Sequence, residues 1–339
     1  MNSLIKLVLV NLKRKCDRFM GIVKRFSTFF VLLACIVAFG FSAVSCAPSA
    51  GKTGEEAANP SALNVVATTT MITDLVGEIG KDKVAVTGLM PTGIDPHSYN
   101  ATAGDVAKMQ SADVVVYNGL HLEGKMGEVF EDIKNIGITS ICIEDAIPSD
   151  KLMLSEDGSG TPDPHIWFDV NLWRLAADHV ANELGVKDPD NASFYTQNAE
   201  AYIEQLKQAN AYVSYRAGEL GESQRVLVTA HDAFNYFGAA YGFTVKGLMG
   251  ISTESQAGAA DVSELASFIA DSKIKAIFVE SSVSPKNIEA LQEATRALGH
   301  EVAIGGELCS DSLGTAEDGA DSYIGMVEYN IDTIVDALK

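Results

Sequence analysis

Positive charge is what this sequence most lacks: 25 Lys and Arg stand against 45 Asp and Glu in 339 residues, a formal net charge of −20. That balance argues against a nucleic-acid backbone or an anionic lipid surface as a partner, and tilts toward a cation or a cationic protein face. Cysteine is also sparse, with five in the chain, and their spacing matches no zinc-finger pattern. No H-E-x-x-H is present, so the helix-borne zinc-protease motif is missing. The six histidines form no run, and none stands between His121 and His165. What remains is a globular composition, 47% hydrophobic and 21% charged, with length for two lobes at about 100–200 residues per domain.

The N-terminus reads as a targeting segment and not as part of the fold. An apolar run from Thr28 to Val44 follows Lys24 and Arg25 and ends in Ala43-Val44-Ser45-Cys46, the order of an export signal with a small-residue cleavage site. With cysteine directly after the small residues, it resembles a bacterial lipoprotein signal, although Ala43 stands where leucine is more usual. On that reading residues 1–45 are removed, Cys46 is lipidated, and the protein is extracytoplasmic and lipid-anchored to the bacterial cell membrane. A transmembrane anchor is the alternative, at the short limit of about 17 residues for a span. Residues 1–19 are long for the basic region of a signal, and Met20 makes a more ordinary start than Met1. Removal of residues 1–45 leaves 18 basic and 44 acidic residues, a formal charge of −26. Cys142 and Cys309 then remain as unmodified cysteines, and both read as buried apolar residues.

Residues 46–62, rich in Ala, Gly, Ser, Glu and Pro, form a tether. From Asn64 short apolar runs alternate with helical patterns: strands at Asn64–Thr69, Val84–Leu89, Asp113–Tyr117 and Ile138–Ile143, and helices at Met71–Ile79 and Ala103–Gln110. A helix follows Asp169 as far as Gly185. Then comes a long helical stretch, Pro189 to Leu220, at roughly 48 Å more than one small lobe needs. The second half repeats the alternation, with strands at Arg225–Ala230, Thr244–Leu248, Ala276–Glu280 and Glu301–Ile304, and helices at Val262–Asp271, Pro285–Leu298 and Ser322–Leu338. A loop is expected from Gly305 to Asp311. The fold class is therefore α/β, two lobes with mainly parallel sheets joined by one long rigid helix. The expected layout is a signal at 1–45, a tether at 46–62, a first lobe at 63–188, the linking helix at 189–221 and a second lobe at 222–339.

The tripeptide Asp-Pro-His occurs twice, at Asp95-Pro96-His97 and Asp163-Pro164-His165. Proline stiffens each turn and pushes the preceding Asp toward an extended backbone, so each copy presents an imidazole from a rigid corner. His231 and Asp311 likewise sit at or just beyond element ends, where ligands collect in parallel α/β sheets. Three imidazoles and one carboxylate suit Zn²⁺, and can also hold Mn²⁺ or Fe²⁺. Asp95, Asp163, Asp232 and Glu280 are candidates to orient the imidazoles. His121, His179 and His300 read as surface or structural residues.

Five segments in order, G-I-D-P-H-S-Y-N-A-T-A-G-D-V, N-G-L-H-L-E-G-K-M, D-P-H-I-W-F-D, T-A-H-D-A-F-N-Y-F and G-G-E-L-C-S-D-S-L-G, resemble the zinc and manganese solute-binding lipoproteins of bacterial ABC importers, in particular the TroA-like members. The likeness covers nearly all of Asn64 to Lys339. It implies a metal buried between the lobes and held by His97, His165, His231 and Asp311, delivered to an ABC permease and, through it, to an ATPase subunit. The protein would act as a monomer, without catalysis and without nucleic acid. Manganese-selective relatives commonly carry Glu at the third ligand, where this chain has His231; zinc-specialised ones often carry a His-rich loop that this chain lacks. Zn²⁺ is the expected cargo, with Mn²⁺ its competitor. A secreted zinc-dependent hydrolase is the alternative class, opposed by the closing fourth ligand; a surface adhesin role would be a second one.

Overall fold

The computed structural model describes residues 62–155 and 160–339. The signal, the tether up to residue 61 and Cys46 lie outside the described residues. Among the described residues no helix is long and apolar enough to cross a membrane.

The first lobe is built on four parallel strands, β1 (Leu63–Ala67), β2 (Val84–Gly88), β3 (Val114–Tyr117) and β4 (Thr139–Cys142), in the order β2-β1-β3-β4. Every residue of β3, the run VVVY, is buried, as expected of an inner strand covered on both faces. Helix α1 (Thr70–Gly80) starts where the Thr69 side chain accepts from the Ile72 N–H, satisfying one of the free donors of its first turn. Its buried residues Met71, Ile72, Leu75, Val76 and Ile79 form one stripe. Helix α2 (Ala103–Gln110) opens on a Thr102–Asp105 capping box. Helix α3 (Gly127–Asn135), which the sequence pattern does not announce, covers the sheet with Phe130 and Ile133.

Helix α4 (Val170–Lys187), capped by Asp169, leads through a 3-10 turn at Pro189–Asn191 into helix α5 (Ala192–Ala217). The linking helix is thus 26 residues, about 39 Å long and shorter than the Pro189–Leu220 expectation. Proline sets its first residues in a tighter turn, and Gly218 closes it. Tyr195, Ala199, Tyr202, Leu206, Ala209, Val213 and Ala217 are its buried stripe. That stripe packs on α1 and α4 of the first lobe and on α9 (Tyr323–Leu338) of the second.

The second lobe pairs β5 (Val226–His231) with β6 (Thr244–Met249), and β7 (Ala276–Glu280) with β8 (Ala303–Leu308), all parallel, with β5 alongside β7. Its other helices are α6 (Asn235–Tyr241), α7 (Ala259–Ser272) and α8 (Lys286–Ala297). Where a loop is expected from Gly305, β8 continues. Ile277 pairs with Ile304 and Val279 with Glu307, so β8 carries one extra residue as a bulge. Gly306 takes φ 145° there, and a Cβ on Gly305 would lie 2.7 Å from both Phe278 and Ala337. The two glycines let β8 bend and α9 pack closely.

One hydrophobic core spans both lobes, beside a smaller one within each. Trp167, Phe168 and Trp173 join Phe234, Phe237, Tyr323 and Ile331 in a single buried cluster, and Phe168 stacks on Phe234 with centroids 4.2 Å apart. At the back of this interface the Asp74 carboxylate accepts from the Tyr323 N–H at 3.1 Å, at the start of α9 where a negative group is favoured. Burial nevertheless pushes Asp74 up to about 6, against the lowering effect of the Tyr323 N–H; Glu78 and Asp321 add to the rise, and Lys81 opposes it. An acid with a raised folded pKa favours folding below its unfolded value and loses that contribution as pH rises through about 6. Asp74→Asn keeps an acceptor for Tyr323 without a charge. It is expected to stabilise the protein by about 1–3 kcal/mol at pH 8 and by nothing near pH 3, measured by denaturant unfolding of the metal-free form at the two pH values.

Candidate metal centre

The two Asp-Pro-His turns are alike in backbone and different in ring contacts. In each, the aspartate accepts the histidine N–H two residues on, Asp95 from His97 at 2.9 Å and Asp163 from His165 at 3.0 Å. Asp163 also faces His165 Nδ1 at 2.7 Å. The second oxygen of Asp95 is taken instead by the hydroxyls of Ser98 and Thr253. Of the expected orienting carboxylates, Asp163 and Glu280 therefore reach an imidazole, whereas Asp95 holds its histidine through the backbone. The Asp232 backbone N–H bonds the Gly250 carbonyl.

His231 is the last residue of β5, and Glu280, the last residue of the adjacent strand β7, lies beside it. Glu280 accepts the His231 N–H at 2.9 Å and faces its Nδ1 at 2.5 Å. A carboxylate on Nδ1 holds a proton there, so that Nε2 is the nitrogen turned toward a metal. His165 and His231 thus share one arrangement built from different lobes.

The three Nε2 atoms and the Asp311 carboxylate converge. His165 Nε2 lies 3.3 Å from those of His97 and His231. Asp311 oxygens stand 3.3, 3.5 and 3.9 Å from His231, His165 and His97. All four ligand atoms lie within 4.8 Å of one another, a grouping that could hold a metal ion. A tetrahedron with metal–nitrogen bonds of about 2.0–2.1 Å has edges of roughly 3.3 Å, which the two nitrogen–nitrogen distances and the His231–Asp311 distance meet. Both Asp311 oxygens are buried and have no hydrogen-bond partner. A buried carboxylate in that condition is costly unless a cation faces it.

Electrostatics sharpen the picture. Burial drives the His97 imidazole down to about 4, despite the Asp311 charge, so it is neutral at physiological pH. Burial also acts against a charged His231, but Glu280 and Asp311 outweigh it and hold its pKa well above the ordinary value. Asp311 is opposed by its own burial, yet His231 and the other two imidazoles keep it far below the usual carboxylate range.

Several supporting residues are invisible to motif reading. Trp167 stands edge-on to His165 with centroids 5.2 Å apart and donates to the Ser310 carbonyl at 3.0 Å, tying the residue before Asp311 to the first lobe. Tyr236 donates to the Asp163 carbonyl and Asn235 to its carboxylate. Buried Glu123 accepts from Thr68 and the Asn118 N–H, and Asn118 bonds the Pro164 carbonyl. The N-G-L-H-L-E-G-K-M segment was the available signal for this last network. Its His121 is exposed, in a left-handed turn. His179 is half-buried on α4, and His300 bonds the Ile274 carbonyl at 2.8 Å; none of the three joins the cluster. Cys142 is half-buried and Cys309 buried, both free, and burial pushes both thiols up to about 12, leaving them unreactive.

Residues 65–337 match the family model described as zinc-uptake complex component A, periplasmic. The chain is 50% identical over 275 residues to the zinc-binding protein TroA of Treponema pallidum, covering 81% of this chain and 88% of that protein. It is 44% identical over 309 residues to the manganese-binding lipoprotein MntA of Bacillus subtilis, covering 91% and 99%. The solved structure of the periplasmic zinc-binding TroA from Treponema pallidum superposes with a TM-score of 0.79 at 49% identity, over 82% of this chain and 99% of that one. A manganese-bound periplasmic metal-binding protein from Candidatus Liberibacter asiaticus superposes at 0.72 with 28% identity, over 82% and 100%. The chain belongs to the zinc-uptake component A family of periplasmic metal-binding proteins.

Proposed function

We propose that this chain captures a divalent transition metal, Zn²⁺ ahead of Mn²⁺, outside the cytoplasmic membrane and hands it to the permease of an ABC importer. The observation that carries the reading is the Asp311 carboxylate, buried without a hydrogen bond among three converging Nε2 atoms. His97 and His165 come from the lobe at 63–188, His231 and Asp311 from that at 222–339, with 189–221, the segment that carries α5, linking them, and the metal joins the two. The cargo is not transformed: four protein ligands leave no open position of the kind a catalytic zinc keeps, and the relatives' names are those of zinc- and manganese-binding proteins, one of them a component of an ABC transporter, which supports neither the hydrolase nor the adhesin reading. Relatives named as a manganese-binding lipoprotein and as a manganese ABC transporter substrate-binding lipoprotein support an extracytoplasmic protein anchored through Cys46. Charge supports a monomer, since mature copies, with 18 basic and 44 acidic residues and so at −26, repel one another.

Selection follows from the donor set. A third imidazole at His231 favours Zn²⁺ over the harder Mn²⁺. Metal must also displace the proton that Glu280 and Asp311 stabilise on His231, so affinity rises with pH and falls as pH drops. Competitive titration of the demetallated mature protein with Zn²⁺ and Mn²⁺, alongside His231→Glu, tests the reading. One metal per chain is expected, Zn²⁺ winning in the native sequence and the preference moving toward Mn²⁺ in the variant. Absence of stoichiometric binding would sink the reading.

A further inference from the structure

The four ligands are not equally sealed. His97 is 3% exposed, against 0% for His165 and His231 and 1% for Asp311. Of the four, His97 is the one nearest solvent.

Residues 250–258 lie there. This irregular stretch of the second lobe runs from the end of β6 to the start of α7. Its root is at the ligand from its own lobe: Met249 pairs with His231, and the Gly250 carbonyl accepts from Asp232. Its middle is at the ligand of the other lobe: the Thr253 hydroxyl donates to Asp95 Oδ2 at 2.6 Å. Asp95 is the residue whose other oxygen fixes the His97 N–H. A second crossing, Glu254 to Lys125 at 3.0 Å, is exposed and adds little. Gly250 and Gly258 stand at the two ends of the stretch.

We propose that Thr253 is a positioning residue for metal retention: its bond to Asp95 closes residues 250–258 across the exit at His97 and steadies the turn that presents His97. This rests on the function proposed above and assigns the release step to one side of the site. A single bond to a carboxylate is strong enough to slow escape and weak enough to break without unfolding either lobe. Closure and ligand geometry are coupled because both pass through Asp95.

The test is stopped-flow transfer of Co²⁺ or Zn²⁺ from the mature protein to excess EDTA, for the native chain, Thr253→Val and Thr253→Ser. Thr253→Val keeps the shape and loses the hydroxyl, and release should quicken on the order of tenfold. Thr253→Ser keeps the hydroxyl and should release at the native rate. The visible spectrum of bound Co²⁺ should be the same in all three, since no ligand changes. Equal release rates for Thr253→Val and the native chain would overturn the proposal, as would equal acceleration in Val and Ser. Thr253→Ala carries the same expectation and decides the matter if the valine variant does not fold. A native chain that fails to bind Co²⁺ or Zn²⁺ one to one refutes the function itself; stoichiometric binding with unchanged release in the variants refutes Thr253 alone.

Discussion

Asp311→Ala is expected to weaken Zn²⁺ binding by on the order of 100- to 1,000-fold. Structural zinc sites with four ligands bind with about 10–16 kcal/mol, so one ligand is worth roughly 3–4 kcal/mol, and each 1.4 kcal/mol is tenfold. Asp311 is also the one carboxylate among the four. Without it a divalent ion sits buried among neutral imidazoles, and the uncompensated charge adds to the loss. Asp311→Asn separates the two effects: it keeps an oxygen at the same place and gives up the charge. Both variants are to be titrated against a competing chelator at fixed pH. A loss below tenfold in Asp311→Ala would mean that the carboxylate is not a ligand.

The second large effect is structural. Trp167→Ala should destabilise the metal-free protein by about 3–5 kcal/mol, the usual cost of removing a large buried aromatic. Trp167 is 1% exposed and sits in the core common to both lobes. Its carbonyl accepts from Tyr323 Oη at 2.6 Å, while its indole N–H holds Ser310. Trp167→Phe keeps most of the packing and loses the Ser310 bond, with a smaller expected cost of about 1–2 kcal/mol. Denaturant unfolding followed by far-UV circular dichroism measures both. Because Ser310 precedes Asp311, weaker metal binding should accompany the loss in each.

His97, His165, His231 and Asp311, which the structure brings together, are legible as candidates because each carries a local signature: a stiff turn for His97 and His165, a strand end for His231, and a short Ser/Gly turn beyond a strand for Asp311. What holds the ligands was less so. Sequence adjacency nominated Asp95, Asp163 and Asp232 equally, and only the path of each turn decides which carboxylate meets a ring. Glu280 was nominated from its strand end, yet its role depends on β5 and β7 lying side by side, a relation 49 residues apart in the chain. Trp167 to Ser310 spans 143 residues, and no periodicity encodes it.

The elements missed have physical reasons too. Helix α3 buries only Phe130 and Ile133 among charged residues and opens on a glycine, and α6 is seven residues with no capping side chain. Both are held by packing more than by their own propensity. Strand β8 outruns its sequence pattern because Gly305-Gly306 signals a loop in isolation; in the fold the same pair is the bulge that admits α9.

The most direct test of the account is the anomalous scattering of a crystal of the mature protein grown with one equivalent of Zn²⁺. A single peak bonded to Nε2 of His97, His165 and His231 and to an oxygen of Asp311 is the predicted result. A zinc ion elsewhere, or one that any of these four residues does not touch, would contradict it.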